Sequence, residues 1–374
     1  MSSRITPEKP KSAVSPVREL AKQRWENPRE FFALFDKVDN KVIFTNDDVL
    51  FPLKMKEGEP SPLGIFAEKV LSDRLKRAEQ LSPEEKEKIV EVCEGHKRSA
   101  LLARAIFRDK EDRLYRDIDV KGIGMIEWQW PEGKGLGVEI SSRLGEPSGG
   151  GRGGLLDENL AFYDMQMSEE FYKAGIRTSR VLGIIRLNEL IKDGKRISLE
   201  EARKGGIIDK EFSPVISVRA FGTKARVDEL INMPSGDIEG RSLLLKDAQE
   251  LVEQELGKKF SSTEEYLEWF AKTLGKNVGL CHKNHWAHGY LSGHNITLDC
   301  RIVDLDGVTK SRDFDDFKED IADALVCLIN VLRCSRHRYT MEVREKFEKL
   351  FRYSYLQAGG NEEAAIGVET PFSK

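Results

Sequence analysis

Apolar residues recur at three- and four-residue spacing through most of the chain after residue 240. Such spacing places the apolar side chains on one face of an α-helix. The pattern predicts helices at 242–256, 262–284, 316–335 and 340–358. We therefore expect the second half of the chain to be helical.

Between residues 100 and 221 the pattern changes to short β-rich runs with turn residues between them. A small antiparallel sheet is predicted from three runs: LLARAIF (101–107), DIDVKGIGMIEWQW (117–130) and GVEISSRL (137–144). Two further strands are predicted at RVLGIIRL (180–187) and FSPVISVRAF (212–221). Between these groups, the glycine-rich 145–154 predicts a loop, and 156–175 predicts a helix that ends at Gly175, a residue type favoured just past a helix C-terminus.

The first hundred residues differ from the rest in composition and in the spacing of their apolar residues. Residues 1–17 are rich in Pro, Ser and Lys, which indicates disorder. The apolar spacing of 18–40 is compatible with short helices, and 64–93 is predicted to form two helices, the second starting at Ser82-Pro83. We therefore predict a helical N-terminal extension over 18–95.

A β-rich part with one long helix, followed by a helical part, is the plan of a protein kinase. The predicted fold is α+β and bilobal, with a small β-rich N-lobe over 96–235 and a helical C-lobe over 236–374. The two lobes form a single kinase-like domain in this prediction.

Composition limits the classes of function. Of the 374 residues, 39% are hydrophobic and 33% are charged, and the net charge is −4, which argues against a nucleic-acid binder. No apolar run of about 18 residues appears, so we expect no membrane span. The N-terminus lacks the apolar core of a secretory signal, and five scattered cysteines do not make a disulfide framework. We expect a cytoplasmic monomer.

The stretch HGYLSGHN, from His288 to Asn295, resembles the catalytic loop of a phosphotransferase. Tyr290 stands where that loop has its aspartate, and Asp304 follows Asn295 by nine residues. An Asn amide oxygen and an Asp carboxylate, on the two strands of a short hairpin, could converge on a hard divalent cation that bridges nucleotide phosphates. The alternative is a surface hairpin in which the polar residues occur by chance.

Histidines around this loop also raise the possibility of zinc, with candidate ligands His282, His285, His288, His294, Cys281 and Cys300. Structural zinc sites use two tight ligand pairs separated by a spacer, and these residues do not form such pairs. We expect His288 to be buried and hydrogen-bonded to backbone as a scaffold for the loop. His282 and His285 are expected to be ordinary surface or helix-end residues.

Cationic residues lie upstream of the loop. Lys121 is centred in an alternating apolar strand, so its side chain points either into solvent or into a cleft where it could contact phosphate. Arg219, Lys224 and Arg226 fall within eight residues, where the chain would cross between the lobes. Such a cluster is usually a solvated face, but arginines also bind phosphates bidentately.

Four blocks of the sequence, in order, resemble the selenoprotein-O family of kinase-like proteins over about residues 115–310. VKGIG is similar to the family's K-G-x-G motif, and SEEFYKAGIRTSRVLGII to its S-E-A-x-x-x-L-G-I-P-T-T-R-A-L block. VRAFGTKARV is similar to R-x-A-x-S-H-x-R-F-G, with two arginines seven residues apart. HGYLSGHN through VDLD is similar to H-G-V-M-N-T-D-N through L-D-Y-G, with the same step of nine residues from Asn to Asp.

The resemblance implies transfer of AMP, rather than phosphate, from ATP to Ser, Thr or Tyr hydroxyls of protein substrates. Family members lack the loop aspartate and bind ATP in an inverted orientation, with the α-phosphate facing the acceptor. The resemblance further implies that the inverted phosphates are held by Lys121, Arg219 and Arg226. It implies that Mg²⁺ or Mn²⁺ is held by Asn295 and Asp304.

Two catalytic candidates depart from the family pattern. His294 replaces the acidic residue before the Asn; an imidazole could take a hydroxyl proton near pH 7, or His294 could be structural. Gap-free alignment puts Asp164 at the position that pairs with the lysine, with Glu169 and Glu158 as alternatives. Two other functions stay open: an ordinary phosphotransferase with Asp306 or His294 as base, and a non-catalytic nucleotide-binding or interaction module.

Overall fold

The computed structural model describes residues 30–49, 51, 54–71, 82–83, 89–93, 99–124, 154–192, 195–233, 236–335 and 339–368. Its strands are β1 Glu30–Lys37, β2 Asn40–Thr45, β3 Ile65–Leu71, β4 Ile89–Cys93, β5 Ser99–Arg108, β6 Leu114–Lys121, β7 Leu156–Asp157, β8 Arg180–Leu187, β9 Glu189–Lys192, β10 Lys195–Ser198, β11 Pro214–Phe221, β12 Trp286–Ala287 and β13 Thr309–Lys310. Its α-helices are α1 Glu158–Lys173, α2 Leu199–Lys204, α3 Val227–Asn232, α4 Ile238–Leu256, α5 Thr263–Lys283, α6 Phe314–Cys334, α7 Met341–Gln357 and α8 Glu362–Ile366.

The N-lobe is built on one large sheet, in the order β2-β8-β11-β6-β5-β4-β1-β3, with β7 paired to β11. The pairs along this order are antiparallel. Helix α1 lies against β8 and β11 through a small apolar cluster that includes Ala161, Ile184 and Val215. The α+β, bilobal architecture predicted from the sequence is confirmed, with a β-rich N-lobe, one long helix and a helical C-lobe.

The predicted N-terminal helices are wrong for most of the described residues of this region. Glu30–Lys37, Ile65–Leu71 and Ile89–Cys93 are strands that extend the N-lobe sheet, so these parts of 18–95 are no helical extension. Pro83, at the predicted start of the second helix, is helical. Short apolar runs do not distinguish strand from helix by their spacing, and burial against a sheet decides between them. Phe35 and Phe66 are buried in the N-lobe core. The predicted disorder of 1–17 lies outside the described residues.

The remaining predicted elements follow the structure closely. Helix α1 ends at Lys173, and Gly175 follows it with φ +80°, a conformation that favours glycine. The predicted strands at 180–187 and 212–221 correspond to β8 and β11. Helices α4, α5, α6 and α7 match the four predicted from apolar spacing. The predicted strand at 137–144 and most of the glycine-rich loop lie outside the described residues.

In the C-lobe, α5 positions the loop that follows it. Its Gly275 and Gly279 allow close approach of α7, since a Cβ there would lie 2.2 Å from the Phe351 carbonyl oxygen and 2.3 Å from that of Tyr355. The packed helices surround a large apolar core. In the described part of the chain, no helix is both long enough and apolar enough to cross a membrane.

Candidate functional site

Four polar residues share one face of the two central N-lobe strands. Asp119 and Lys121 lie on β6, opposite Arg219 and Ser217 on β11 in the strand register. Residues two apart on a strand point to the same side, and directly opposed residues do so as well. All four side chains are buried. The sheet therefore presents a compact polar patch towards the cleft between the lobes.

The side chain of Lys121 is buried and points towards residues 304–306 rather than into solvent. Its Nζ donates to Asp304 Oδ1 at 2.5 Å and to Asp306 Oδ2 at 3.1 Å. The two glycines that follow have positive φ and leave room for neighbouring groups. A Cβ on Gly122 would lie 2.4 Å from the Val215 carbonyl oxygen, and the φ of Gly124 is +94°. The K-G-x-G spacing thus lets the chain turn tightly beside the lysine.

Arg219 is held by Asp119 through two hydrogen bonds, from Nε at 2.9 Å and from Nη2 at 2.8 Å. Lys224 Nζ approaches the same carboxylate at 3.0 Å. Burial alone would raise the pKa of Asp119, but the charges of Arg219 and Lys224 lower it to about 2. Arg219 Nη1 has no hydrogen-bond partner among the described residues and lies 3.8 Å from Asp304 Oδ1.

Arg226 lies close to the same group of charged residues, including Asp304 and Arg219. The chain between the two arginines bends at Gly222, where a Cβ would lie 2.0 Å from Asp299 Oδ2. Arg226 Nη1 donates to the carbonyl oxygen of His294. Its Nε is buried and has no hydrogen-bond partner in the described part of the chain. Burial lowers the pKa of Arg226, while the negative charge of Asp304 acts in the opposite direction.

The loop that starts at His288 is anchored from the C-lobe helix α6. The Asp320 carboxylate accepts hydrogen bonds from the backbone N–H of His288 at 2.7 Å and of Gly289 at 2.9 Å. His288 is buried, as expected, and its Nε2 pairs with the carbonyl oxygen of Val303 at 3.1 Å. His282 lies in the last turn of α5, one of the two expected positions, but it is buried rather than exposed. Its ring nitrogens face Asp320 and the Tyr355 hydroxyl.

The structure brings Asn295 and Asp304 together on a short hairpin. The Val303 N–H donates to the Asn295 carbonyl oxygen at 3.0 Å, next to a bridge between Ile296 and Ile302. Asp304 has φ 63°, in the left-handed region, and sits at the start of a 3₁₀ turn, Leu305–Gly307. Desolvation would raise the pKa of Asp304, but the positive charges of Lys121, Arg226 and Arg219 hold it well below its usual range.

Of the three acidic candidates for pairing with Lys121, Asp164 is the residue that faces the site. Its Oδ1 accepts a hydrogen bond from the Leu305 N–H at 3.0 Å. Burial raises the pKa of Asp164, against the lowering effect of Lys121 and Arg219. Glu169 is instead paired with Arg180, and Glu158 with Arg186, both at 2.7 Å.

Two loop residues are open to solvent. Tyr290, at the position of the phosphotransferase aspartate, is 56% exposed. His294 is half-exposed, and its Nδ1 lies 3.3 Å from Asp228 Oδ2 at the start of α3. Among the described residues, no cluster of three or more His, Cys, Asp or Glu could hold a metal ion.

Asp119, Ser217 and Asp320 were not identified as site residues from the sequence. One signal was available for Asp119, because DIDVK places it two residues before Lys121 and therefore on the same face of the strand. Ser217 likewise lies two residues before Arg219 and therefore on the same face of its strand. Asp320 gives no such signal, since a carboxylate in the first turns of a helix is usually exposed.

Comparisons with known proteins add little to this geometry. No protein-family model matches the chain, and no curated protein does. Among solved structures, the chain is similar to a Toxoplasma gondii specific rhoptry antigen kinase domain at 10% sequence identity and a TM-score of 0.33, covering 74% of this chain and 81% of that chain. The description of the site therefore depends on its own contacts.

Proposed function

We propose that this protein transfers AMP from ATP to hydroxyl groups of proteins. The observation that carries the proposal is the convergence of Lys121, Arg219 and Arg226 on Asp304. Both arginines keep a buried N–H group without a hydrogen-bond partner in the described residues. Buried donors are nearly always paired in proteins, so these are the groups that an anionic ligand would satisfy. Phosphate oxygens suit arginine donors well.

The backbone between the lobes supports an inverted nucleotide. A base that lay against this segment would need free backbone donors. The four N–H groups from Lys224 to Val227 already donate within the protein, to Asp117 Oδ2 at 2.8 Å, Thr223 Oγ1 at 3.2 Å, Glu229 Oε1 at 3.2 Å and the Ile296 carbonyl oxygen at 2.9 Å. These contacts favour an orientation in which the phosphates, rather than the base, occupy the buried end of the cleft.

In the proposed reaction, the acceptor hydroxyl oxygen forms a bond to the α-phosphorus. The bond from that phosphorus to the oxygen shared with the β-phosphate breaks, and pyrophosphate leaves with the bonding electrons. Negative charge grows on the leaving group, where the fixed cations Arg219 and Arg226 would stabilise it. The hydroxyl proton needs an acceptor, for which we propose His294, oriented by Asp228.

The polar side chains of the hairpin are of types that suit a hard divalent cation. Asn295 and Asp304 offer an amide oxygen and a carboxylate, the ligand types that Mg²⁺ and Mn²⁺ favour. When bound, such an ion would supply positive charge to the phosphates. Asp164 would keep the 304–305 backbone in place through its bond to the Leu305 N–H.

The test is transfer of label from ATP. The purified protein, incubated with Mn²⁺ and ATP in the presence of a heat-inactivated cell lysate, should incorporate label from the α-phosphate and none from the γ-phosphate. Intact-mass spectra of modified proteins should show an AMP-sized increment. Asp304→Ala should abolish incorporation, whereas the exposed Asp48→Asn should not change it. A phosphate-sized increment would establish a phosphotransferase instead.

A further inference from the structure

Ser217 carries a buried hydroxyl group in the middle of β11. The side chain is fully buried, and its Oγ has no hydrogen-bond partner among the described residues. A buried hydroxyl without a partner is unfavourable by its desolvation and is rare in native proteins. An apolar residue of similar size would stabilise the sheet more, so the presence of a serine at this position needs another explanation.

The neighbours of Ser217 on β11 establish which way the side chain points. Ile216 and Val218 face the N-lobe core, on one side of the sheet. Val215 packs on the other side, in the apolar cluster with α1. Because side chains alternate along a strand, Ser217 shares the side of Val215 and Arg219. It also lies directly opposite Lys121 in the register. The hydroxyl is therefore on the cleft side, between two cationic residues.

Asp119 determines which guanidinium nitrogen of Arg219 is left to bind another group. It occupies Nε and Nη2, and the remaining Nη1 has no hydrogen-bond partner in the part of the chain that the structure describes. The guanidinium is planar and rigid, so fixing two nitrogens fixes the direction of the third. Nη1 of Arg219 and Oγ of Ser217 are thus two donors on one face of the same strand that make no hydrogen bond to any residue the structure describes.

We propose that the Ser217 hydroxyl and Nη1 of Arg219 form a subsite for the terminal phosphates of a nucleoside triphosphate. The occupant is the part that leaves as pyrophosphate. The assignment rests on the proposed function, in which these phosphates lie at the buried end of the cleft. The serine donates to a phosphate oxygen, and the ligand satisfies both donors at once. A hydrogen bond to a charged group of this kind is worth about a tenfold change in affinity, or somewhat more.

The experiment measures binding and needs no turnover. Ser217→Ala and the wild-type protein are titrated with pyrophosphate, ATP and AMP in the presence of Mg²⁺. Affinity for pyrophosphate and ATP should fall about tenfold in the variant, and affinity for AMP should not change. The melting temperature of the ligand-free variant should equal or exceed that of the wild type, because an unpaired buried hydroxyl has been removed. Ser168→Ala is the matched control, since that buried hydroxyl bonds to the Met165 carbonyl oxygen in α1.

Ser217→Cys provides a second variant of similar volume with a weak donor, and it should show the same selective loss. Equal affinity of wild type and both variants for pyrophosphate would overturn the assignment. An equal loss for AMP and pyrophosphate, together with a lower melting temperature, would do so as well, since it would indicate a structural serine. The outcome does not depend on which group is transferred, so a phosphate-sized mass increment would refute the proposed function alone.

Discussion

Replacing Asp119 with asparagine removes a negative charge from between two buried cations while keeping the shape of the side chain. In the native protein this carboxylate accepts two hydrogen bonds from Arg219 and lies 3.0 Å from Lys224 Nζ. All three side chains are nearly inaccessible to solvent. The variant leaves both cations without their counter-charge. We expect Asp119→Asn to lower the free energy of unfolding substantially at neutral pH.

The magnitude follows from the pKa of the carboxyl group. Its pKa falls from 3.8 to about 2 against the opposing effect of burial, through Arg219 and Lys224. One pKa unit is worth about 1.4 kcal/mol, so the charged form stabilises the fold by about 2 kcal/mol relative to the neutral form. Asparagine resembles the neutral form. Breaking a buried ion pair by removing one partner costs about 3–5 kcal/mol in other proteins. The expected loss therefore lies between about 2 and about 5 kcal/mol.

The effect has a defined pH dependence. The folded-state pKa of Asp119 is depressed, so its stabilisation is fully present above the unfolded value of 3.8 and is lost as the pH falls towards about 2. At pH 3 about half of the 2 kcal/mol should remain. The difference in unfolding free energy between wild type and variant should therefore be constant from pH 7 to about 5 and should narrow below pH 4.

Urea denaturation at several pH values measures this difference. Asp48→Asn is the control, because the Asp48–Lys110 pair is exposed and such pairs contribute about 0–1 kcal/mol. A loss below about 1 kcal/mol at pH 7 for Asp119→Asn would refute the reasoning. So would a difference that stays unchanged from pH 5 to pH 3.

The remaining predictions concern the phosphates and the loop. Asp304→Ala should abolish metal-dependent ATP binding in calorimetry, because it removes the carboxylate proposed to hold the ion; normal affinity in the folded variant would contradict the site. Arg219→Ala and Arg226→Ala should each lower AMP transfer about a hundredfold or more, with only partial recovery on lysine substitution, measured by pyrophosphate release; near-normal rates in both would contradict the inverted nucleotide. Asp320→Ala should speed hydrogen exchange of the His288 and Gly289 amides relative to those of α5, and unchanged protection would show that another group holds the loop.

Much of the fold was accessible from the sequence because its helices are amphipathic and long. Helices α5 and α6 each span 21 residues, enough to repeat a three- and four-residue pattern several times. Strands β1 and β4, at 8 and 5 residues, are too short for the pattern to identify them. Their conformation is decided by pairing, of β1 with β3 and β4 and of β4 with β1 and β5, and no local pattern encodes these partners.

The residues of the candidate site also differ in whether local or long-range contacts place them. Spacing predicted that Asn295 and Asp304 lie on one short hairpin, and the local backbone contacts between 295–296 and 302–303 agree with this. Asp119 and Ser217 depend on the register between β6 and β11, which are about a hundred residues apart in the chain. Asp320 depends on how α6 packs beneath the loop. Long-range register and packing are set by the whole core, so sequence alone could suggest these residues only by their position relative to Lys121 or Arg219.

Two carboxylates of the candidate site, Asp119 and Asp304, differ in how easily each could separate from its cationic partners. Asp119 is fully buried beneath Arg219 and Lys224, so moving it would leave two cations without counter-charge. Asp304 pairs with Lys121 and keeps 29% of its side chain exposed. A triphosphate needs cations, and the pair that can open at the lower cost is the one that solvent already reaches. We infer that Asp119 remains a fixed support under the phosphates, whereas Asp304 is the carboxylate that exchanges partners when ligand binds.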